Sequence, residues 1–397
     1  MIWLCIENDI SIPNNYKFDY IFIDEAQDSS IMQQKLIKKC FKENTRFIAI
    51  GDEFQCINAF AGADNDAFKK FQQEPNTTSL ELPVTYRCPK KIVDLVNKKC
   101  GINIKATDDA IEGEINYNVS PFAPTGNDMV LCRNTAHLVL LFMKYNHVNK
   151  KSYIKGKEIG GVFEKHVKNT KQNLISLDFK EDGVIPRLYK QLFELIDKEI
   201  ENGLEINDIL NLSHINDYID NVNALFTLSE GLNTTEELIE RIKVIFNNEE
   251  ENNGICLSTV HKAKGLEADN VYILCPSLMP SKYAIKDWEI QSEKNLIYVA
   301  ITRTKKTLNY ICEKSFSPNI FFKNESVIDM IEEKRNLINK LYDKNFSSLT
   351  KKKIVHQKTL EEQINEDLKN LLNKKHKSLS ERKTPIKKER IGMNRFK

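Results

Sequence analysis

The sequence predicts an α/β protein built on parallel sheet, with a helical insertion and a basic tail that is helical and then disordered. Three observations lead there. A strand, a helix and a strand follow one another within about 30 residues near the start, the rhythm of a parallel βαβ unit. Four later runs are short, apolar and rich in β-branched residues, as strands covered on both faces are. Between them, residues 166–253 change to helical spacing.

Taken in order, Tyr20–Ile23 and Phe47–Ile50 are the first two strands, and Ile31–Phe41 between them is a helix. Leu36, Ile37 and Phe41 can share one side of it. Met129–Cys132, Ile255–Leu257, Val271–Cys275 and Leu308–Cys312 are the remaining strand candidates. In the insertion, Leu188, Leu192, Leu195 and Ile196 fall at i, i+4, i+7 and i+8, and Leu238, Ile242, Ile245 and Phe246 repeat that spacing. Thr234-Thr235-Glu236-Glu237 has the form of a capping box opening the second of these helices. The acidic run Glu249–Gly254 is the exit loop. A last stripe, Leu360, Ile364, Leu368, Leu371 and Leu372, follows Thr359-x-x-Glu362, and beyond Lys374 the composition is that of disorder.

With 397 residues, 41% hydrophobic and 29% charged, the chain has room for two or three globular domains. Its net charge of +2 conceals an asymmetry. Residues 351–397 carry 15 Lys/Arg against 6 Asp/Glu, a net of +9, which leaves the first 350 at −7. Such a tail suits a polyanion and equally a solvated segment. The nine cysteines form no C-x-x-C pair, which points to buried reduced thiols rather than a disulfide framework or zinc site. Met1–Ile6 is too short for a signal peptide, and no stretch reaches the roughly 18 apolar residues of a membrane helix. These features place the chain in a reducing compartment, cytosol or nucleus, not secreted and with no membrane partner.

Five motifs carry chemistry. Ile21–Asp28 (IFIDEAQD) ends a strand with two carboxylates at the edge of a sheet, where such folds bind ligands. A lone apolar run ending in Asp-Glu more often closes in a solvated turn; the later motifs argue otherwise. Asp24 suits a hard oxygen ligand for Mg²⁺, and Glu25 suits a base that orients water. Gly51-Asp52-Glu53-Phe54-Gln55 follows the next strand, and Gln55 can hydrogen-bond a terminal phosphate. Tyr86-Arg87 comes third. Thr259–Glu267 (TVHKAKGLE) crosses from one strand to the next. Thr259 and His261 have donors suited to DNA phosphate, Gly265 permits close backbone approach, and Glu267 can hold ribose hydroxyls. Tyr298–Arg303 (YVAITR) is last.

In this order the motifs resemble the core of a UvrD/Rep-type superfamily 1 DNA helicase, over about 20–100 and 127–315. The resemblance implies two RecA-like α/β domains with ATP and Mg²⁺ between them, stepping 3′ to 5′ along DNA. It implies an incomplete first domain over 1–85, a second over 86–165 and 254–315, a helical accessory insertion at 166–253, and the tail at 316–397. By the same likeness Tyr86 lies on adenine, Arg87 and Arg303 reach the γ-phosphate, and Phe60 stacks on a DNA base. Asn58 and Ala61 stand where the family usually has a second aromatic and an arginine. A larger departure is that no G-x-x-x-x-G-K-[ST] occurs in these 397 residues, so no phosphate-gripping loop precedes the DEAQD strand. The expectation is a split or truncated helicase whose loop comes from a separate chain. The alternatives are a catalytically inactive single-stranded-DNA-binding or scaffold relative, and a nuclease-helicase fusion fragment.

Overall fold

The computed structural model describes residues 2–59, 62–120, 122–176, 182–210, 212–247 and 254–312. Phe60, most of the expected exit loop at 249–254, and the helical and disordered tail lie outside the described residues. The chain divides into two compact units. One takes in Met1–Glu164, Leu210–Leu228 and the chain from Ile239; the other takes in Lys165–Ile209 and Ser229–Leu238.

The strands among the described residues are β1 Phe18–Ile23, β2 Phe41–Ala49, β3 Val84–Thr85, β4 Lys105–Ala106, β5 Glu114–Val119, β6 Met129–Cys132, β7 Ser152–Lys155, β8 Ile255–Thr259, β9 Ala268–Ile273 and β10 Thr304–Ile311. All lie in the first unit. Six of them form one sheet in the order β5-β10-β9-β6-β8-β7, every pair parallel. This is an α/β protein with a parallel six-stranded sheet of RecA-like kind.

The four strands read from apolar runs, β6, β8, β9 and β10, are the four interior strands of that sheet. Every residue of β6 and β8 is buried. The two missed, β5 and β7, are its edges. Their outer sides meet water, so the apolar run that marks a doubly covered strand is broken by Glu114, Asn116 and Asn118 in β5 and by Ser152 and Lys155 in β7.

Helix Lys90–Cys100 and helix Asp287–Thr302 pack on the sheet. Ile92, Val93 and Val96 from the first, and Leu296, Val299 and Ile301 from the second, share one core with Leu131, Val271, Ile273 and Leu308. Burying each such side chain contributes about 1.5–3 kcal/mol before the entropy cost of ordering it. Helix Thr135–His147 lies against β7 and β8 and bears helix Ser213–Leu228. Asp220 of the latter accepts from the Thr135 and Ala136 N–H groups at 2.7 and 3.2 Å, satisfying two donors that helix geometry leaves open.

β1 and β2 form a separate two-stranded parallel pair. Helix Ile31–Lys39 joins them, ending two residues earlier than expected because Phe41 opens β2. Ser30 and Gln33 cap it reciprocally. A small core of Ala26, Ala67 and Phe71, backed by Ile23, Phe47 and Phe68, supports this pair. Phe18, Tyr20 and Phe22, alternate residues of β1, are exposed. Two parallel strands alone are marginal in water, and this exposed apolar row lies on one face of the pair.

The second unit is helical. Leu188, Leu192 and Ile196 on helix Val184–Glu201 are buried, as their spacing implies. Helix Thr235–Asn247 starts with the expected capping box: Thr234 Oγ1 accepts from Glu237 N–H at 3.3 Å, and Glu237 Oε2 accepts from Thr234 N–H at 3.0 Å. Replacing Thr234 by Ala removes one arm of that cap. The expected cost is about 1 kcal/mol, read as a lower denaturation midpoint with the helical circular dichroism of the native state retained.

Candidate active site

The site begins where β1 and β2 end. Ile23 stands opposite Ala49, and pairing continues past the strands: Ile50 N–H donates to Ile23 C=O at 2.8 Å, and Ala26 N–H to Ile50 C=O at 2.9 Å. The DEAQD and GDEFQ loops therefore leave the strand ends side by side. Gln27, buried between them, accepts from the Asp52 N–H at 3.1 Å and donates to Glu25 Oε2. Gly51 makes room for this. A Cβ there would sit 2.0 Å from Gln27 Oε1 and 3.1 Å from the Ala26 backbone nitrogen. Glu25 itself is held at φ 51°, ψ 41°, a left-handed conformation that non-glycine residues adopt at a cost of roughly 1 kcal/mol or more.

A residue far along the chain closes this junction. Lys264, only 14% exposed in its side chain, places its ammonium 2.5 Å from Asp28 Oδ2, 3.1 Å from Glu25 Oε2 and 3.1 Å from the Gln55 carbonyl oxygen. The fourth motif thereby touches the first and second at once. Burial works to raise the Glu25 pKa, but hydrogen bonds from Lys264 and Gln27 outweigh it and hold the carboxyl below its ordinary value. The other Asp28 oxygen is buried without a hydrogen-bond partner. Lys264 was quoted within its motif but given no role. No local signal marks it, since Lys262 stands two residues away and the three oxygens, from two loops, converge only once the chain is folded.

Helix Asp287–Thr302 clamps the second loop from another side. Tyr298 Oη donates to Asp52 Oδ2 at 2.7 Å, and Asn295 Nδ2 donates to the carbonyls of Glu53 and Cys56 at 3.2 and 2.9 Å. Gln55 Nε2 donates to the same Asp52 oxygen at 2.8 Å. The helix ends at Arg303, which is 1% exposed. Its guanidinium donates to Val299 C=O, Leu266 C=O and Thr302 Oγ1 at 3.0, 3.2 and 3.0 Å. Burial, then the charge of Arg87, works against its protonated form. Arg303 is thus satisfied by its own helix and the fourth motif rather than presented to open space.

Arg87 Nε donates to Glu267 Oε2 at 2.7 Å, and Lys305 lies 3.3 Å from the other Glu267 oxygen. The two groups expected at phosphate and ribose are paired with each other here. Tyr86 is 90% exposed. Gly265 has φ +82°, which a side chain tolerates poorly, although the space beside it is open. Thr259 is buried at the end of β8. His261 is half-buried, and burial together with Arg133 and Lys262 pushes its pKa down to about 3, so it offers a neutral ring rather than a cation.

An open depression of roughly 350 Å³ lies beside these loops, with Ile23, Leu36 and Ile37 beneath and Asp24, Glu25 and Asp28 at its rim. Gln55, Arg87 and Arg303 do not line it. The structure therefore joins Glu25 and Gln55 through Lys264, and Arg87 and Arg303 through Leu266 and Glu267, without one cavity shared by all. Among the described residues no group of three His, Cys, Asp or Glu side chains forms a metal cage, and no helix is long and apolar enough to cross a membrane.

Residues 35–315, more than half of the chain, match the family of the UvrD-like helicase C-terminal domain. The chain belongs to that family. Similar proteins include F-box DNA helicase protein 1 of Schizosaccharomyces pombe, 26% identical over 75% of this chain and 34% of that protein. The probable DNA helicase II homolog of Mycoplasma capricolum is 24% identical over 83% of this chain and 61% of its own length. The ATP-dependent DNA helicase Rep of Buchnera aphidicola from Acyrthosiphon pisum is 22% identical over 75% and 63%. The chain thus spans between one third and less than two thirds of these relatives.

Two outcomes follow from the site electrostatics. Lys264→Ala leaves Glu25 and Asp28 without their shared cation. Because the Glu25 pKa is lowered in the folded state, the pairing is present above the ordinary carboxyl range near 4.5 and lost as pH falls through the depressed value. The variant is therefore expected to melt below the parent at pH 7, the gap closing in acid; equal melting at pH 7 would refute the bridge. His261 runs likewise: a pKa depressed from 6.5 to about 3 stabilises the fold above 6.5, and stability declines as pH drops between those values. Its ring resonances in NMR should report a neutral imidazole at pH 5.

Proposed function

We propose that this chain is the C-terminal portion of an ATP-dependent DNA helicase of UvrD/Rep type, moving 3′ to 5′. Its phosphate-gripping loop is supplied from outside these 397 residues, by a separate chain or another stretch of a longer one. The observation that carries this is the Lys264 bridge, through which motifs lying 236 and 209 residues apart meet at one junction. The exposed apolar row of β1 supports the second part, since a helix packed on that face of a larger parallel sheet would cover it.

The residues have assignable tasks. Asp24 lines the depression as an exposed carboxylate, a fit for Mg²⁺, which takes one or two carboxylates and completes its shell with phosphate oxygens and water. Magnesium bound there would neutralise phosphate charge. Glu25, kept ionised at neutral pH, orients and accepts a proton from the attacking water. Gln55 meets the terminal phosphate through its side-chain amide, exchanging its bond to Asp52. Arg87 and Arg303 stabilise the charge spread over the transferring phosphoryl group, which requires Arg87 to leave Glu267 and Arg303 to turn from its backbone carbonyls. Tyr86 is accessible to adenine, and Glu267, once released, to ribose. Thr259, His261 and the Phe60 loop contact DNA.

The purified chain is expected to show no DNA-stimulated ATP turnover by itself. Adding a polypeptide with a strand followed by G-x-x-x-x-G-K-[ST] from its own system is expected to restore it. Glu25→Gln and Arg303→Ala should then each reduce the restored rate by ~10²-fold or more. Turnover by the chain alone, lost on Glu25→Gln, would refute the external loop. The buried Arg303 favours a second reading, a catalytically inactive binding relative. In that case single-stranded DNA affinity is unchanged by nucleotide and by Arg303→Ala even with the loop present.

A further inference from the structure

The first turn of helix Asp287–Thr302 keeps Trp288 at the surface, 38% exposed, between exposed Ile285 and Ile290. Its place is set from a distant segment: Asn65 Nδ2 donates to the Trp288 carbonyl at 3.2 Å, and Ser292 Oγ to the Ile57 carbonyl at 3.5 Å. Ile57 and Asn65 therefore adjoin this turn. Lys286 Nζ lies 5.9 Å from the indole centroid, and Lys282 Nζ lies 5.1 Å from the ring of Tyr283.

An indole carries a large apolar surface, and leaving it wet is unfavourable. A surface that nonetheless sets two rings beside two ammonium groups has the makeup of a base-stacking platform, rings for bases and cations for the backbone. The nearby acids weaken this charge without removing it. Glu289 caps the turn, Oε2 accepting from the N–H groups of Ile285 and Lys286 at 3.0 and 3.2 Å, and its Oε1 lies 3.8 Å from Lys286 Nζ, a long and exposed pair that a phosphate can displace. Asp287 is the one further carboxylate in this turn, one acid for the two ammonium groups of Lys282 and Lys286.

We propose that Trp288, with Lys286 and Lys282, is a binding site for one or two bases of single-stranded nucleic acid, extending the track past loop 57–65. It supplies a ring and a cation beside the loop where Asn58 and Ala61 provide neither. The inference rests on the reading that this chain acts on DNA, and it names a contact which that reading does not.

The chain has two tryptophans, Trp3 and Trp288, so Trp3→Phe makes emission report on Trp288 alone. Titrating this full-length variant with oligo(dT) is expected to quench that emission saturably. Trp288→Ala should weaken oligo(dT) binding by about five-fold or more, the low end of one stacked base, while Trp288→Phe keeps most of the affinity. Lys286→Ala should lower the slope of log affinity against log salt by roughly 0.7. Unchanged circular dichroism of the variants establishes that they fold. Oligo(dT) binding with unaltered Trp288 emission and unaltered affinity in Trp288→Ala overturns this inference and leaves the helicase reading standing. No oligo(dT) binding by the parent chain overturns both.

Discussion

The junction of this molecule depends on one ammonium group. Lys264 is largely removed from water and faces three oxygens, two of them on ionisable carboxylates. A buried cation without partners is costly, and two carboxylates without their cation repel each other. Neither side of the junction is favourable alone, so each holds the other in place. The strained backbone at Glu25 and the close approach of Gln27 to Gly51 persist because this pairing over-determines them.

The arginines show the complementary arrangement. Arg303 has three oxygen acceptors inside the protein, and Arg87 has Glu267. Each guanidinium is neutralised or hydrogen-bonded within the protein, which offsets its desolvation. Leu266 and Glu267 are consecutive residues of the fourth motif, one accepting from each arginine. That segment links the acids, the glutamine and both arginines, which makes it the hub of the network.

How much of the fold was legible follows from where each strand lies. β6, β8, β9 and β10 have neighbours on both edges, and each keeps an apolar stretch in its covered part: all of β6, Ile255–Leu257 in β8, Val271–Ile273 in β9 and the Leu308–Ile311 end of β10. β5 and β7 have one open edge each, and polar residues there erase the run. The Thr234–Glu237 cap was legible because capping is local chemistry, settled within four residues. The role of Lys264 was not, because nothing within its own segment distinguishes it from Lys262, which pairs instead with Glu158.

By itself the sequence determined the motifs, their order, the parallel α/β class and the absence of a G-x-x-x-x-G-K-[ST] in these residues. Those are matters of residue identity and short-range periodicity. Only the tertiary structure decided that Lys264 is the bridge, that Arg303 turns inward, and that Trp288 comes to lie beside a loop more than two hundred positions away. Such pairings are set by which strand ends meet when the sheet closes, and a linear pattern holds no record of distance through space.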